Sequence, residues 1–77
     1  MERLLNLRLI SGMSQFAVAR KSGVPRMRLS LAETGQLTLT GEETARIRAV
    51  LLGAIEARSL RLQMVLADSR ADVEVSA

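Results

Sequence analysis

The chain has 77 residues, enough for one small domain and too few for a multi-step enzyme. It contains no cysteine and no histidine, which excludes disulfides, thiol nucleophiles and the usual zinc sites. The net charge is +3, but residues 1–35 carry six basic and two acidic side chains, a net +4, whereas residues 36–77 carry five and six, a net −1. A polyanion is therefore expected to bind the first half; the alternative for charge alone is a solvated basic face.

Hydrophobic residues make up 48% of the chain, and only one residue, Phe16, is aromatic. An aliphatic core of this kind is typical of packed helices. The longest uncharged apolar run, 49–55, is too short to cross a bilayer, and Glu2, Arg3 and Arg8 interrupt any signal-like N-terminus. We therefore expect an all-α, cytoplasmic protein without membrane contact, folded as a compact bundle of four to five helices.

Glycine and proline residues divide the first half into three short helices. The first begins near Leu4 and stops near Gly12, a residue suited to the left-handed conformation that ends a helix. Ser14 is placed to cap a second helix, which ends at Gly23. Pro25 suits the first turn of a third helix, which is expected to end at residues 34–35.

The second half begins with a loop at 36–39, after which Thr40 to Glu43 matches a capping box and starts a fourth helix. The apolar face of this helix is predicted to include Ala45, Ile47, Val50 and Leu51. Gly53 either ends the helix or lies inside a longer one at a close contact, and we expect it to end the helix.

Beyond Gly53 the apolar residues follow two stripes with alternating spacings of three and four. One contains Ala57, Leu60, Met64 and Ala67. The other, on roughly the opposite face, is the predicted dimer interface and contains Leu52, Ile55, Leu62 and Leu66, with Ser59 between Ile55 and Leu62.

A helix that is apolar on two faces packs against its own domain and, we expect, a second copy; the alternative is burial inside the monomer. The predicted domain covers 1–67, with 52–67 as the dimerisation helix. The polar segment 68–77 is predicted to be a flexible tail.

The block from Gln15 to Thr34 has the residue types that a helix-turn-helix needs. Ala19 supplies a small side chain where the two helices cross, and Gly23 takes a positive φ in the turn without steric cost. Four apolar residues are spaced to point into a shared core: Val18, Val24, Leu29 and Ala32.

This block resembles the helix-turn-helix domains of lambda-type phage repressors and the related xenobiotic-response-element family. The matching residues are Arg8-x-x-x-Gly12-Met13-Ser14-Gln15, Ala19-x-x-x-Gly23-Val24 and Leu29-Ser30-x-x-Glu33-x-Gly35. The resemblance covers about residues 4–52. It implies a lambda-repressor-like fold in which the third helix enters the major groove of DNA.

The resemblance also implies roles for individual residues. Gln15 hydrogen-bonds a phosphate and braces the third helix, while Arg8 and Glu33 form an internal ion pair. Arg26 is suited to hold a guanine with two hydrogen bonds, and Arg28 to do the same or to bind phosphate. The implied DNA-contacting set is Gln15, Arg26, Met27, Arg28, Ser30, Leu31 and Thr34.

Two cations at the end of the second helix, Arg20 and Lys21, are candidate phosphate contacts. They are equally well explained by the helix dipole, which favours cations there without DNA. Met27 and Leu31 are apolar where many relatives are polar, so thymine methyl groups are the contacts they offer. Phe16 also departs from the family, and we expect it to pack against apolar neighbours rather than to contact a partner.

The expected function is that of a small sequence-specific transcriptional regulator that binds double-stranded DNA as a homodimer, without cofactor or metal. The alternative is a protein-binding inhibitor, of antiactivator or antitoxin-like type, which uses its apolar surfaces to bind a larger protein. An enzyme is not expected, because the chain lacks histidine, cysteine and tyrosine and its carboxylates lie mainly at helix starts or in the tail.

Overall fold

The computed structural model describes residues 3–76, with side chains described as far as Ser69. The described chain forms four α-helices and no strand: α1 (Leu4–Ser11), α2 (Gln15–Ser22), α3 (Arg26–Glu33) and α4 (Gly41–Ser76). The prediction of an all-α fold is confirmed. The described chain has four helices rather than five, because the segments expected as a fourth and a fifth helix form one continuous helix, α4.

The short helices end and begin at residues with the chemistry of caps. Gly12 and Gly23 end α1 and α2 with φ of 75°, in the left-handed region where a Cβ is disfavoured. Ser14 caps α2 by accepting a hydrogen bond from the Ala17 N–H at 3.1 Å. Pro25 lies just before α3 rather than in its first turn, and α3 ends at Glu33.

One hydrophobic core joins all four helices. Val18, Val24 and Leu29 are buried as predicted, whereas Ala32 is only partly buried. Because helices of eight residues are marginal alone in water, α1, α2 and α3 depend on this packing for their stability. The buried apolar side chains are Leu7, Val18, Val24, Leu29, Ile47 and Leu51.

The start of α4 has the predicted capping box. The Glu43 N–H donates to the Thr40 hydroxyl at 3.1 Å, and the Thr40 N–H donates to the Glu43 carboxylate at 3.0 Å. Of the predicted apolar face, Ile47 and Leu51 are buried, Val50 is partly buried and Ala45 is exposed.

The expected break at Gly53 is wrong, because α4 continues through it. Leu51 is buried on one side of the glycine, and Ile55 packs against the core on the other. The helical cost of a glycine, about 1 kcal/mol, is smaller than the gain of about 1.5–3 kcal/mol from burying one such side chain. Core packing therefore keeps the helix continuous across this position.

We expect Gly53→Ala to raise the free energy of unfolding by about 0.5–1 kcal/mol, because a helical alanine loses less backbone entropy than glycine. A Cβ at this position meets nothing within 4 Å. The matched control is Gly23→Ala, which places a Cβ at φ 75° and should destabilise the fold by about 1–2 kcal/mol. Urea unfolding measures both; a destabilising Gly53→Ala would contradict a continuous α4.

The second half of α4 extends past the other helices and gives the molecule its longest dimension, 57 Å against 22 and 18 Å. Ile55, a residue of the predicted dimer stripe, is partly buried and packs against the core of its own domain. The other three residues of that predicted stripe are exposed: Leu52 by 41%, Leu62 by 57% and Leu66 by 59%.

The described helix reaches Ser76 and so crosses most of the predicted tail, 68–77. Residues 1, 2 and 77 and the side chains of 70–76 lie outside the described part of the chain. The flexibility of the tail and the domain boundary at residue 67 stay predictions.

Candidate nucleic-acid interface

A tight turn centred on Gly23 connects α2 to α3. The buried Ser22 hydroxyl accepts a hydrogen bond from the Val24 N–H at 3.2 Å. Ser11, which precedes Gly12, accepts in the same way from the Met13 N–H at 3.1 Å. Short polar side chains often close turns by such bonds to the backbone two residues on. Sequence analysis missed this role of serine, although the Ser-Gly pair occurs at both helix ends.

A partly buried polar cluster connects α1 and α2 to the end of α3. The Arg8 Nε and Nη2 donate to the two carboxylate oxygens of Glu33 at 2.6 and 2.9 Å, and Nη1 donates to the Met13 carbonyl at 3.2 Å. The Gln15 Nε2 donates to Glu33 Oε1 at 2.8 Å. The Arg8 and Glu33 side chains, only 15% and 5% exposed, therefore form the ion pair that the resemblance implies.

The charge state of Glu33 follows from these contacts. Burial opposes ionisation of the carboxyl group, but the hydrogen bonds from Arg8 and Gln15 outweigh it and lower the pKa of Glu33 below its ordinary value. The hydrogen bond with Glu33 likewise raises the pKa of Arg8. The cluster is thus ionised at neutral pH, and the amide of Gln15 is held by α3.

Arg28, one of the predicted DNA contacts, is paired with Glu43. Its Nε and Nη2 each donate to a carboxylate oxygen of Glu43 at 2.6 Å. The hydrogen bond from Arg28, together with that from the Thr40 N–H, lowers the pKa of Glu43 to about 2. Arg28 therefore links α3 to the start of α4, and its charge is neutralised there.

Three cations lie exposed on both sides of the turn: Arg20 and Lys21 in the last turn of α2, and Arg26 at the start of α3. Within the described part of the chain, none of the three forms an ion pair or a hydrogen bond through its side chain. Cations that are exposed and not neutralised by neighbouring acids attract polyanions most strongly.

The remaining predicted contacts on α3 differ in their exposure. Met27, beside Arg26, is 74% exposed, whereas Ser30 and Leu31 are partly buried. The Thr34 hydroxyl donates to the carbonyls of Ser30 and Leu31 at 3.3 and 3.1 Å, which closes the end of the helix. Arg26, Met27 and Thr34 are therefore the exposed ones among these predicted contacts, and of the three the Thr34 hydroxyl is engaged by the backbone.

Phe16 is 62% exposed, so the expectation that it packs against apolar neighbours is wrong. It follows Gln15 in the first turn of α2, and Gln15 and Val18 are the residues of that turn that face the interior.

The described residues contain no group of three or more metal-ligating side chains. Among the helices described, none is long and apolar enough to cross a membrane. Comparison with protein-family models, curated proteins and solved structures finds no match for this chain.

Proposed function

We propose that this chain is a cytoplasmic, sequence-specific transcriptional regulator that binds double-stranded DNA through a helix-turn-helix formed by α2 and α3. In this proposal the N-terminal end of α3 enters the major groove, where Arg26, its first residue, contacts a base. The observation that carries it is the trio of exposed, unneutralised cations around the turn, Arg20, Lys21 and Arg26. The resemblance to lambda-type repressors supports the same assignment.

The paired and the unpaired arginines have different roles within the site. Arg8 and Arg28 are held by Glu33 and Glu43 and so orient α3 against α1 and α4. Arg26 is free to place its planar guanidinium on a guanine edge, and Met27 beside it can contact a thymine methyl group. Arg20 and Lys21 then contact phosphates, which position the protein without selecting a sequence.

The double variant Arg20→Ala, Lys21→Ala tests the phosphate role. We expect it to weaken binding to all duplexes alike and to reduce the slope of log affinity against log salt by about 2, since each neutralised phosphate contributes about 0.9. Gel shifts at several salt concentrations measure this slope. An unchanged slope would remove both residues from the interface.

Arg28→Ala separates a structural role from base contact. We expect a lower Tm, because α3 loses its link to Glu43, and no change in the DNA sequence preferred. Glu43→Gln is the matched control, since it breaks the same ion pair from the α4 side. If Arg28→Ala changes the DNA sequence preferred and Glu43→Gln does not, Arg28 contacts the bases directly.

The proposal includes a homodimer on a two-fold operator, formed through the part of α4 beyond Leu52. Two copies related by a two-fold axis present their α3 helices to successive major grooves, which calls for half-sites about 10 bp apart. DNase footprinting on a selected site measures this spacing.

A second candidate function is supported by the exposed apolar side chains near the same surface, Phe16 at 62% and Met27 at 74%. In this alternative the chain is an antiactivator or antitoxin-like inhibitor that binds a larger protein. Recovery of a stoichiometric protein partner, whose binding is lost in Phe16→Ser, together with equal affinity for all duplexes would favour it over DNA-sequence recognition.

A further inference from the structure

A fourth cation, Arg46, lies beside the turn between α2 and α3, although it belongs to α4. Its Nη1 is 4.0 Å from the position that a Cβ on Gly23 would occupy. Because α4 packs against α2, the second turn of α4 comes close to the turn that connects α2 to α3. Arg46 belongs to the half of the chain with a net charge of −1, so composition alone gives no sign of this position.

Arg46 is held more weakly than the other paired arginines, Arg8 and Arg28. Its hydrogen bond in the described part of the chain runs from Nη2 to the Glu42 Oε1, at 2.6 Å. These two side chains are 55% and 74% exposed, whereas Arg8 and Arg28 each donate twice to a less exposed carboxylate. Because an exposed ion pair contributes little, a polyanion at the turn can take the place of Glu42.

We propose that Arg46 contacts a phosphate of the duplex bound at this turn, and that Glu42 competes with the phosphate for the guanidinium. A guanidinium has five N–H donors, and the bond to Glu42 leaves the Nη1 beside the turn for another acceptor. Arg20, Lys21 and Arg26 lie around the same turn, and a duplex presents closely spaced phosphates. The inference rests on the proposed DNA binding and adds to it a contact that carries no sequence information.

The position of Arg46 has another explanation, which does not involve DNA. The C-terminal end of α2, next to Gly23, carries the negative pole of the helix dipole and favours a cation beside it. In that case Arg46 stabilises the fold, and its loss leaves the salt dependence of DNA binding unchanged. The salt dependence distinguishes the two roles, because only a cation that neutralises a phosphate releases a counterion.

Arg46→Gln and Arg61→Gln form a matched pair of variants, since each removes one arginine from α4. Residue 61 is about 22 Å further along the helix at 1.5 Å per residue. That distance exceeds the Debye length of about 8 Å at physiological salt. Arg61 is exposed and forms no ion pair in the described part of the chain.

Fluorescence anisotropy with a scrambled duplex at several salt concentrations measures the contribution of each arginine. Between about 50 and 200 mM salt, we expect Arg46→Gln to lose about three- to fourfold less affinity than the original chain, since one phosphate contact contributes about 0.9 to the log–log slope. Arg61→Gln should keep the original slope. Circular dichroism checks that each variant is folded.

Glu42→Gln tests the competition for the guanidinium. We expect it to tighten binding of the same duplex about two- to fivefold, because Arg46 no longer has to leave a carboxylate. The same substitution in the Arg46→Gln background should give a smaller gain, since the charge that Glu42 neutralises is then absent.

An Arg46→Gln slope equal to that of the original chain, or a reduction that Arg61→Gln shares, would overturn the phosphate contact. A gain from Glu42→Gln that is the same in both backgrounds would overturn the competition, because it would then reflect net charge alone. A chain that binds no duplex contradicts the proposed function as well. Salt-dependent binding that does not respond to Arg46→Gln contradicts this inference alone.

Discussion

We expect Glu33→Gln to lower the free energy of unfolding by about 3 kcal/mol, because it leaves the guanidinium of Arg8 without its anion in a largely buried place. Both carboxylate oxygens of Glu33 are used, one by Arg8 alone and the other by Arg8 and Gln15. The variant therefore weakens the connections of α3 to α1 and to α2 together. Urea unfolding followed by circular dichroism measures the loss.

The control for this variant is Glu42→Gln, which removes an acid of the same type from an exposed ion pair with Arg46. Surface pairs one helical turn apart contribute about 0.3–0.5 kcal/mol, so a small effect is expected. A loss in Glu33→Gln no larger than in this control would contradict the structural importance of the cluster.

The same contacts set the response of the fold to acid. The pKa of Glu33 in the folded chain lies below its ordinary value of 4.5, and that of Glu43 is about 2. A carboxyl group with a depressed folded pKa stabilises the fold above its ordinary pKa and loses this effect as the pH falls through the folded value. We therefore expect stability to decline below pH 4.5, and to decline less steeply in Glu33→Gln.

The second large effect is expected from Arg26→Ala, which should reduce affinity for the preferred DNA site by about 1–3 kcal/mol, or about five- to 150-fold. Affinity for unrelated duplexes should fall much less, since only one of several cationic contacts is lost. Arg26→Lys is the matched control: it keeps the charge but cannot make the two parallel hydrogen bonds of a guanidinium.

We expect Arg26→Lys to retain binding to unrelated duplexes and to lose most of the preference for the specific site. Fluorescence anisotropy with one specific and one scrambled duplex measures both quantities. Equal preference in Arg26→Lys and the original chain would show that Arg26 acts only as a charge.

Local chemistry was sufficient to predict most of the helix ends. Gly12, Gly23, Ser14 and the capping box at Thr40 act through their own backbone or through residues no more than four positions away, so the sequence carries the signal directly. The burial of Val18, Val24 and Leu29 follows in the same way from the spacing of apolar residues around one turn.

The errors arose where distant residues decide the outcome. Gly53 has the local character of a helix end, but Leu51 and Ile55 pack against α1 to α3 and hold the helix continuous. Glu43 has a complete local role in the capping box, which gave no indication that it also pairs with Arg28, 15 residues earlier. A residue's short-range role does not exhaust its hydrogen-bonding capacity, because a carboxylate accepts several bonds.

Phe16 shows a related limit. Its aromatic ring favours burial by composition alone, yet Gln15 and Val18 occupy the inward directions of the first turn of α2, and the ring is left outside. To know which neighbour faces inward, one needs the packing of α3 and α4 on α2, and the spacing within one eight-residue helix does not supply it.

The central claim, sequence-specific binding of DNA through α2 and α3, is tested most directly by selecting bound duplexes from a random library with the purified chain. We expect enrichment of a two-fold site with half-sites about 10 bp apart, and no enrichment of that site with Arg26→Ala. Recovery of unenriched sequences by the original chain, at salt concentrations where it binds duplexes at all, would contradict the claim.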